Sequence, residues 1–262
     1  MIWLLARSNS EAAAQTTEEL HSFARHKNFE VALLKPESKP EHGDTLIVLG
    51  GDGTLIQAAR RYADVDLPMV AINLGRLGYI TGFSAQEARQ ALQALIDGEL
   101  IEEARLRLSV NWGEQESSAL NEALITSGQP GRICSVALEI DGQPASLLRG
   151  DGALVATPTG STAYALSAGG PILLPGMEAL VVVPVAPHSI RFRPLVIPPQ
   201  TRLSIVPEED AWLVLDGQQR LPLKGGTRVE LTGHPQPLRL LKPAAHDHLK
   251  ILRNKLHWGE WA

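Results

Sequence analysis

The chain has 262 residues, 44% of them hydrophobic and 20% charged, the composition of a soluble globular protein with room for one large domain or two ordinary ones. Its net charge of −5, from 24 basic and 29 acidic residues, argues against general binding to nucleic acid or anionic membranes. A single cysteine, Cys134, excludes an internal disulfide framework, suits a reducing cytosol, and lies in an apolar run that reads as buried and inert.

The N-terminal run Ile2–Ala6 is too short for a signal peptide, and no stretch approaches a spanning length, so a soluble, cytoplasmic protein is expected. Ile2–Ala6 reads instead as a strand, followed by a helix over Glu11–Lys27 with Ser10 as its cap. Glu30–Leu34 and Thr45–Leu49 are strands, Thr54–Tyr62 is a helix capped by Thr54, Met69–Ile72 is a strand, and Ala85–Asp97 is a helix closed by Gly98. Strand and helix alternating at this spacing imply a Rossmann-like α/β domain: a parallel sheet covered by helices, with its ligand cleft at the carboxyl ends of the strands. Gly50–Thr54 and Asn73–Gly78 lie at such ends.

From Ile101 the texture changes to short segments with period-two alternation: Ala104–Val110, Ile133–Ile140, Ala153–Thr157, Leu180–Val183, Arg202–Val206, Ala211–Leu215 and Arg228–Thr232. Asp141-Gly142 and Asp216-Gly217 mark tight turns among them. A largely antiparallel second domain, a β-sandwich, follows from this pattern. The tail turns helical again over His246–Leu256 and is expected to return to the first domain. The expected divisions are therefore 1–98, 99–235 and 236–262.

The most informative residues are Gly50-Gly51-Asp52-Gly53-Thr54, directly behind the apolar run Leu46–Leu49. A buried strand entering a glycine turn and then a helix presents backbone N–H groups to something anionic, most naturally phosphate. Asp52 is out of place beside a phosphate unless it holds a metal or takes a proton from an attacking hydroxyl. The combination points to phosphoryl transfer; the plainer alternative is a strand-to-helix turn with Asp52 as a local cap. The common nucleotide fingerprints, G-x-x-x-x-G-K-[ST] and a helix-opening G-x-G-x-x-G, are missing from the sequence.

A second polar stretch, Thr157-Pro158-Thr159-Gly160-Ser161-Thr162-Ala163-Tyr164, follows a strand and opens a short helix through Ser167. Its hydroxyls and helix start offer donors for ribose or phosphate oxygens, and Tyr164 is placed to stack on a base; a capped helix with a buried Tyr is the alternative. Asn121-Glu122 and Gly150-Asp151-Gly152 each precede an apolar run, and such side chains read adenine edges and ribose hydroxyls or simply solvate a turn. Arg132 and Arg149 are either phosphate partners or surface charge. His246-Asp247-His248 is no metal set, because residues two apart on a helix point away from each other.

Together these motifs resemble bacterial NAD kinases nearly end to end. The resemblance is carried by Gly50–Thr54, Asn73–Thr81 (NLGRLGYIT), Asn121-Glu122, Gly150–Gly170 (GDGALVATPTGSTAYALSAGG) and Pro184–Val196 (PVAPHSIRFRPLV). It implies transfer of the γ-phosphate of ATP, or of inorganic polyphosphate, to the adenosine ribose 2′-hydroxyl of NAD, with Mg²⁺ or another divalent cation accompanying ATP and no dedicated protein metal site. It assigns Asp52 as proton acceptor with Gly53 beside it, and Asn121 and Glu122 to the adenosine. Arg132, Arg149, Asp151, Thr162, Ala163, Tyr164, Ala165, Leu166 and Ser167 line the dinucleotide site, and Ala186 and Gln218 complete it. A homodimer or homotetramer, with no nucleic-acid or membrane partner, is the family expectation. Leu55 and Gln57 depart from the family pattern, in which an aromatic and a His are frequent. Two alternatives remain: a lipid kinase of the diacylglycerol type, which shares the glycine turn, and a binding module that holds NAD(P) without catalysis.

Overall fold

Leu46, Ile47, Val48 and Leu49 are all buried, on both faces of their strand, as a parallel sheet covered on two sides requires. The computed structural model describes residues 1–62, 65–75, 78–127, 132–244 and 247–259. The chain divides into two units, Met1–Ala104 with Leu238–Ala262, and Arg105–Pro237.

The first unit is built on a seven-stranded sheet ordered Val31–Leu33, Ile2–Ala6, Thr45–Leu49, Met69–Asn73, Leu238–Lys242 and Ile101–Arg105, with Phe83–Ser84 paired to Met69–Asn73. Thr45–Leu49 runs parallel to Ile2–Ala6 on one side and to Met69–Asn73 on the other. Leu4, Leu20, Ile47, Leu49, Ile72 and Leu92 form the centre of its core. Helix Glu11–His26 starts as expected at Ser10, whose Oγ accepts from the Ala13 N–H at 3.3 Å. Thr54 is not the cap of its helix: the helix spans Asp52–Arg61, Gly51 is the N-cap, and Thr54 lies in the first turn with its N–H donated to the Gly51 carbonyl at 2.9 Å. After the second unit the chain returns, and Leu238–Lys242 pairs parallel with Met69–Asn73. The last helix runs His248–Leu256 behind an extended cap residue, Asp247, whose Oδ1 accepts from the Leu249 and Lys250 N–H groups. His246, from which that helix was expected to start, lies outside the described residues.

The second unit is a sandwich of two six-stranded antiparallel sheets. One is ordered Gln143–Gly150, Cys134–Ile140, Leu203–Pro207, Val229–Gly233, Leu108–Trp112 and Gln115–Ala119. The other is ordered Leu195–Ile197, Leu180–Val185, Gly152–Ala156, Glu122–Thr126, Ala211–Leu215 and Gln219–Leu223. Alternate residues of both sheets, such as Val110, Val136 and Ile205 from one and Ile125, Val155 and Leu213 from the other, meet in one core. Leu154, Val181 and Val183 point to the opposite face of the second sheet, where Ala165 and Leu173 cover them. The stretch expected as one strand over Ala104–Val110 is two, Ile101–Arg105 and Leu108–Trp112, in different sheets. Cys134 is buried in the sandwich core, where burial, and after it the charge of Glu209, pushes its thiol up.

Candidate functional site

In the first unit, Asp52 is the first residue of its helix, at the carboxyl end of Thr45–Leu49. Its Oδ2 accepts from the Tyr79 N–H at 2.7 Å and its Oδ1 from the Ile80 N–H at 3.3 Å. These charge-assisted bonds fix the carboxylate's direction. The loop that supplies them is itself tied down. Asn73 Nδ2 and the Gly78 N–H both donate to Thr81 Oγ1, at 3.2 and 3.1 Å, and the Gly75 N–H donates to Asn73 Oδ1 at 2.9 Å. Arg76 and Leu77, between them, lie outside the described residues. A Cβ at Gly78 would fall 2.0 Å from Asp52 Oδ1, so the loop approaches the carboxylate only because residue 78 has no side chain. Burial, and after it the Asp52 charge, raises the Tyr79 hydroxyl above its ordinary value.

Beside the same turn a cavity of about 600 Å³ is lined by Arg7, Ser8, Gly51, Gly53, Thr54 and Arg61. The positive end of the helix dipole and the guanidinium groups of Arg7 and Arg61 give it a potential that favours anions. Among the described residues, no group of three or more His, Cys, Asp or Glu is placed to hold a metal ion.

In the second unit, Asn121 and Glu122 stand where Glu122–Thr126 begins, beside the end of Gly152–Ala156. The residues after Gly152–Ala156 clamp this corner: the Thr157 N–H donates to the Asn121 carbonyl at 2.9 Å and Thr157 Oγ1 to the Leu120 carbonyl at 2.5 Å. A Cβ at Gly160 would lie 2.0 Å from the Asn121 oxygen, so the turn can close on Asn121 only with glycine there. Glu122 is 6% exposed, and its Oε2, like Asn121 Oδ1, is buried without a hydrogen-bond partner. Leaving such an atom bare costs about 1–3 kcal/mol, so both oxygens are candidates to accept from a ligand. Burial, and after it the neighbouring Asp216 charge, pushes the Glu122 carboxyl up to about 7.

The hydroxyls of the Thr157–Tyr164 stretch are spent on building it. Ser161 Oγ donates to the Pro158 carbonyl at 2.6 Å and accepts from the Leu173 N–H at 2.9 Å, and Thr162 Oγ1 donates to the Thr159 carbonyl at 3.2 Å. Arg105, fully buried, reaches Thr159 Oγ1 at 3.5 Å from behind. Tyr164, by contrast, is 43% exposed at the start of the helix Tyr164–Ser167, and its ring is available to a ligand.

Two family models match the chain, the ATP-NAD kinase N-terminal domain over residues 4–100 and the ATP-NAD kinase C-terminal domain over residues 120–242. The NAD kinase of Azoarcus sp. (strain BH72) is 42% identical over 220 residues, 81% of this chain and 75% of that protein. The chain belongs to the NAD kinase family. The NAD kinase of Geotalea daltonii is 36% identical over 98% of this chain and 91% of its own length. The crystal structure of an NAD kinase from Archaeoglobus fulgidus in complex with ATP superposes with a TM-score of 0.82 at 26% identity, covering 98% of this chain and 99% of that one. The lipid-kinase alternative falls with these matches.

Within the second unit the residues singled out in the sequence fall into two groups. Asn121, Glu122, Thr162, Ala163, Tyr164, Ala165, Leu166, Ser167 and Gln218 gather at one end of the second sheet, where Ala156 pairs with Glu122 and Leu215 with Ala123. Asp151, Ala186, Arg149 and Arg132 belong to the other end, where Gly152 pairs with Thr126 and Val185, and Gly150 with Cys134. The strand between the groups is buried along its length and spans about 13 Å. Asp151 and Glu122 therefore stand at opposite ends of that strand. Arg132 is engaged with Glu209, Nη2 to Oε2 at 2.8 Å. Ala165 is fully buried in the apolar layer, and its carbonyl accepts from the Gly170 N–H at 2.8 Å, so it offers a ligand no exposed surface. Arg105 and Asp216, which shape the Asn121–Glu122 corner, carry no local motif that separates them from ordinary strand and turn residues.

Proposed function

We propose that this chain transfers the γ-phosphate of ATP, or the terminal phosphate of inorganic polyphosphate, to the 2′-hydroxyl of the adenosine ribose of NAD, giving NADP. The observation that carries the reading is the pair of buried oxygens on Asn121 and Glu122, without hydrogen-bond partners, at the same end of the sheet as an exposed Tyr164. An ionised carboxylate accepts from ribose hydroxyls, an amide reads a base edge, and a tyrosine ring stacks on adenine. Asp52, held by the Tyr79 and Ile80 N–H groups, is the proton acceptor for the 2′-hydroxyl. A positioned base of this kind contributes about 10²- to 10⁴-fold. The arginine-lined hollow beside Gly51–Thr54 suits the donor's phosphates, with Gly53 facing them. Mg²⁺ or another divalent cation enters with ATP, because charge spreading over the transferred phosphoryl needs it.

The two residue groups suggest how the chain assembles. If Arg149, Asp151 and Ala186 touch the same dinucleotide as Glu122 and Tyr164, they do so from a second copy, which favours a homodimer or a homotetramer. Sedimentation that finds only monomer under assay conditions removes this arrangement. The buried single cysteine fits a cytoplasmic setting. Incubating the purified chain with NAD and ATP, with and without Mg²⁺, and scoring NADP with an NADP-specific dehydrogenase tests the activity. NADP formed only with the metal present supports the reading, and none under either condition refutes it.

A further inference from the structure

In the sequence Asp216 is the first half of an Asp-Gly turn, and the structure makes it one. Its φ is 51°, that of Gly217 is 64°, and the Gln218 N–H closes on the Leu215 carbonyl at 3.0 Å, a tight turn within the three-residue hairpin loop between Ala211–Leu215 and Gln219–Leu223. The side chain does something else. Asp216 Oδ1 accepts from the Asn121 N–H at 2.7 Å and the Glu122 N–H at 3.3 Å, and Oδ2 accepts from the Leu120 N–H at 3.2 Å. The Asp216 N–H returns a bond to the Glu122 carbonyl at 2.9 Å. Successive N–H groups converging on one anion form a nest, here filled from within the protein by a residue only 6% exposed.

We infer that Asp216 is a positioning residue for the dinucleotide: its carboxylate holds the Asn121–Glu122 backbone in its binding shape and lays a negative charge beside the Glu122 side chain, so that binding depends on pH through Glu122. The inference rests on the NAD kinase reading of that pair. The paired strands Gly152–Ala156 and Ala211–Leu215 carry no titratable side chain, nor does the run 157–163 that clamps the corner. Arg105 is the cation recorded on that run, bonded to Thr159, and Tyr164 follows it, exposed. Asp216 is the charge that bears on Glu122, adding to the effect of burial in pushing its carboxyl up to about 7. Glu122 accepts from a ribose hydroxyl more strongly as the carboxylate than as the neutral acid, so kcat/KM for NAD rises with pH through that region.

The test is the pH profile of kcat/KM for NAD in the wild type, Asp216→Asn and Glu122→Gln. Asp216→Asn keeps the shape and one acceptor but removes the charge, so the rising limb moves to lower pH while KM for NAD rises several-fold and kcat changes less. Glu122→Gln loses the limb. Asp216→Glu, which keeps the charge at a longer reach, raises KM and leaves the limb near its wild-type position; Asp216→Ser gives the uncharged comparison if Asp216→Asn does not fold. An unmoved limb in the uncharged variant, with the wild type making NADP, overturns the role of Asp216 alone. A wild type that makes no NADP overturns instead the functional reading on which it rests.

Discussion

Glu122→Gln isolates a single electrostatic cost in the folded chain. The Glu122 carboxyl is nearly buried, its Oε2 has no partner, and its ionisation is pushed up from 4.5 to about 7, first by burial and then by Asp216. A carboxyl raised on folding gives stability that is complete below its unfolded value and lost as pH climbs through its folded value. The window here is pH 4.5 to about 7. At about 1.4 kcal/mol per unit, the wild type loses on the order of 3 kcal/mol across it, an upper figure because buried groups relax on ionising. Gln fills the same volume without ionising. Whatever its amide costs is constant with pH and cancels when the difference between the two proteins is followed. Thermal melts of both at pH 4, 5, 6, 7 and 8 in one salt concentration are the assay. Glu122→Gln should gain several degrees on the wild type between the acid and alkaline ends, with the gain levelling off above neutrality. A difference between the two proteins that does not change with pH would refute a buried, raised Glu122.

Two glycine substitutions separate the corners of the fold. Gly160→Ala drives a methyl to 2.0 Å from the Asn121 oxygen, backbone against backbone, and should destabilise by about 1–3 kcal/mol and raise KM for NAD at least several-fold, read from melts and initial rates. Gly78→Ala puts its methyl 2.0 Å from Asp52 Oδ1, where the carboxylate must swing aside, and should lower kcat at least tenfold with KM for NAD little changed. Equal effects of both on KM would contradict the division of labour between Asp52 and the Asn121–Glu122 corner.

Much of this was legible because central strands announce themselves. Leu46–Leu49 and Ala153–Ala156 are buried on both faces and read as continuous apolar runs, and Ala211–Leu215 alternates cleanly. The strands that escaped notice include Gln115–Ala119, Gln143–Gly150, Leu195–Ile197 and Gln219–Leu223, which are the four edges of the two antiparallel sheets. An edge strand packs against one neighbour and carries polar residues such as Gln115, Glu116 and Gln143 at exposed positions, so its apolar period is weak. The glycine turn and the Asn121-Glu122 pair stood out as residue types with a chemical use. Asp216 did not, because an Asp-Gly turn has the same local pattern whether its carboxylate faces water or gathers N–H groups from a strand far away in sequence. The split of Arg149 and Asp151 from Glu122 was likewise invisible, since it depends on antiparallel register and not on spacing along the chain.

The rate of NADP formation by wild type and Asp52→Asn, measured side by side with saturating Mg²⁺-ATP and varied NAD, tests phosphoryl transfer with Asp52 as proton acceptor most directly. The wild type should convert NAD to NADP. Asp52→Asn, which keeps the shape and removes the proton acceptor, should lower kcat by about 10²- to 10⁴-fold with KM for NAD within a few-fold. A wild type that leaves NAD unphosphorylated, or a variant that turns over at the wild-type rate, would contradict it.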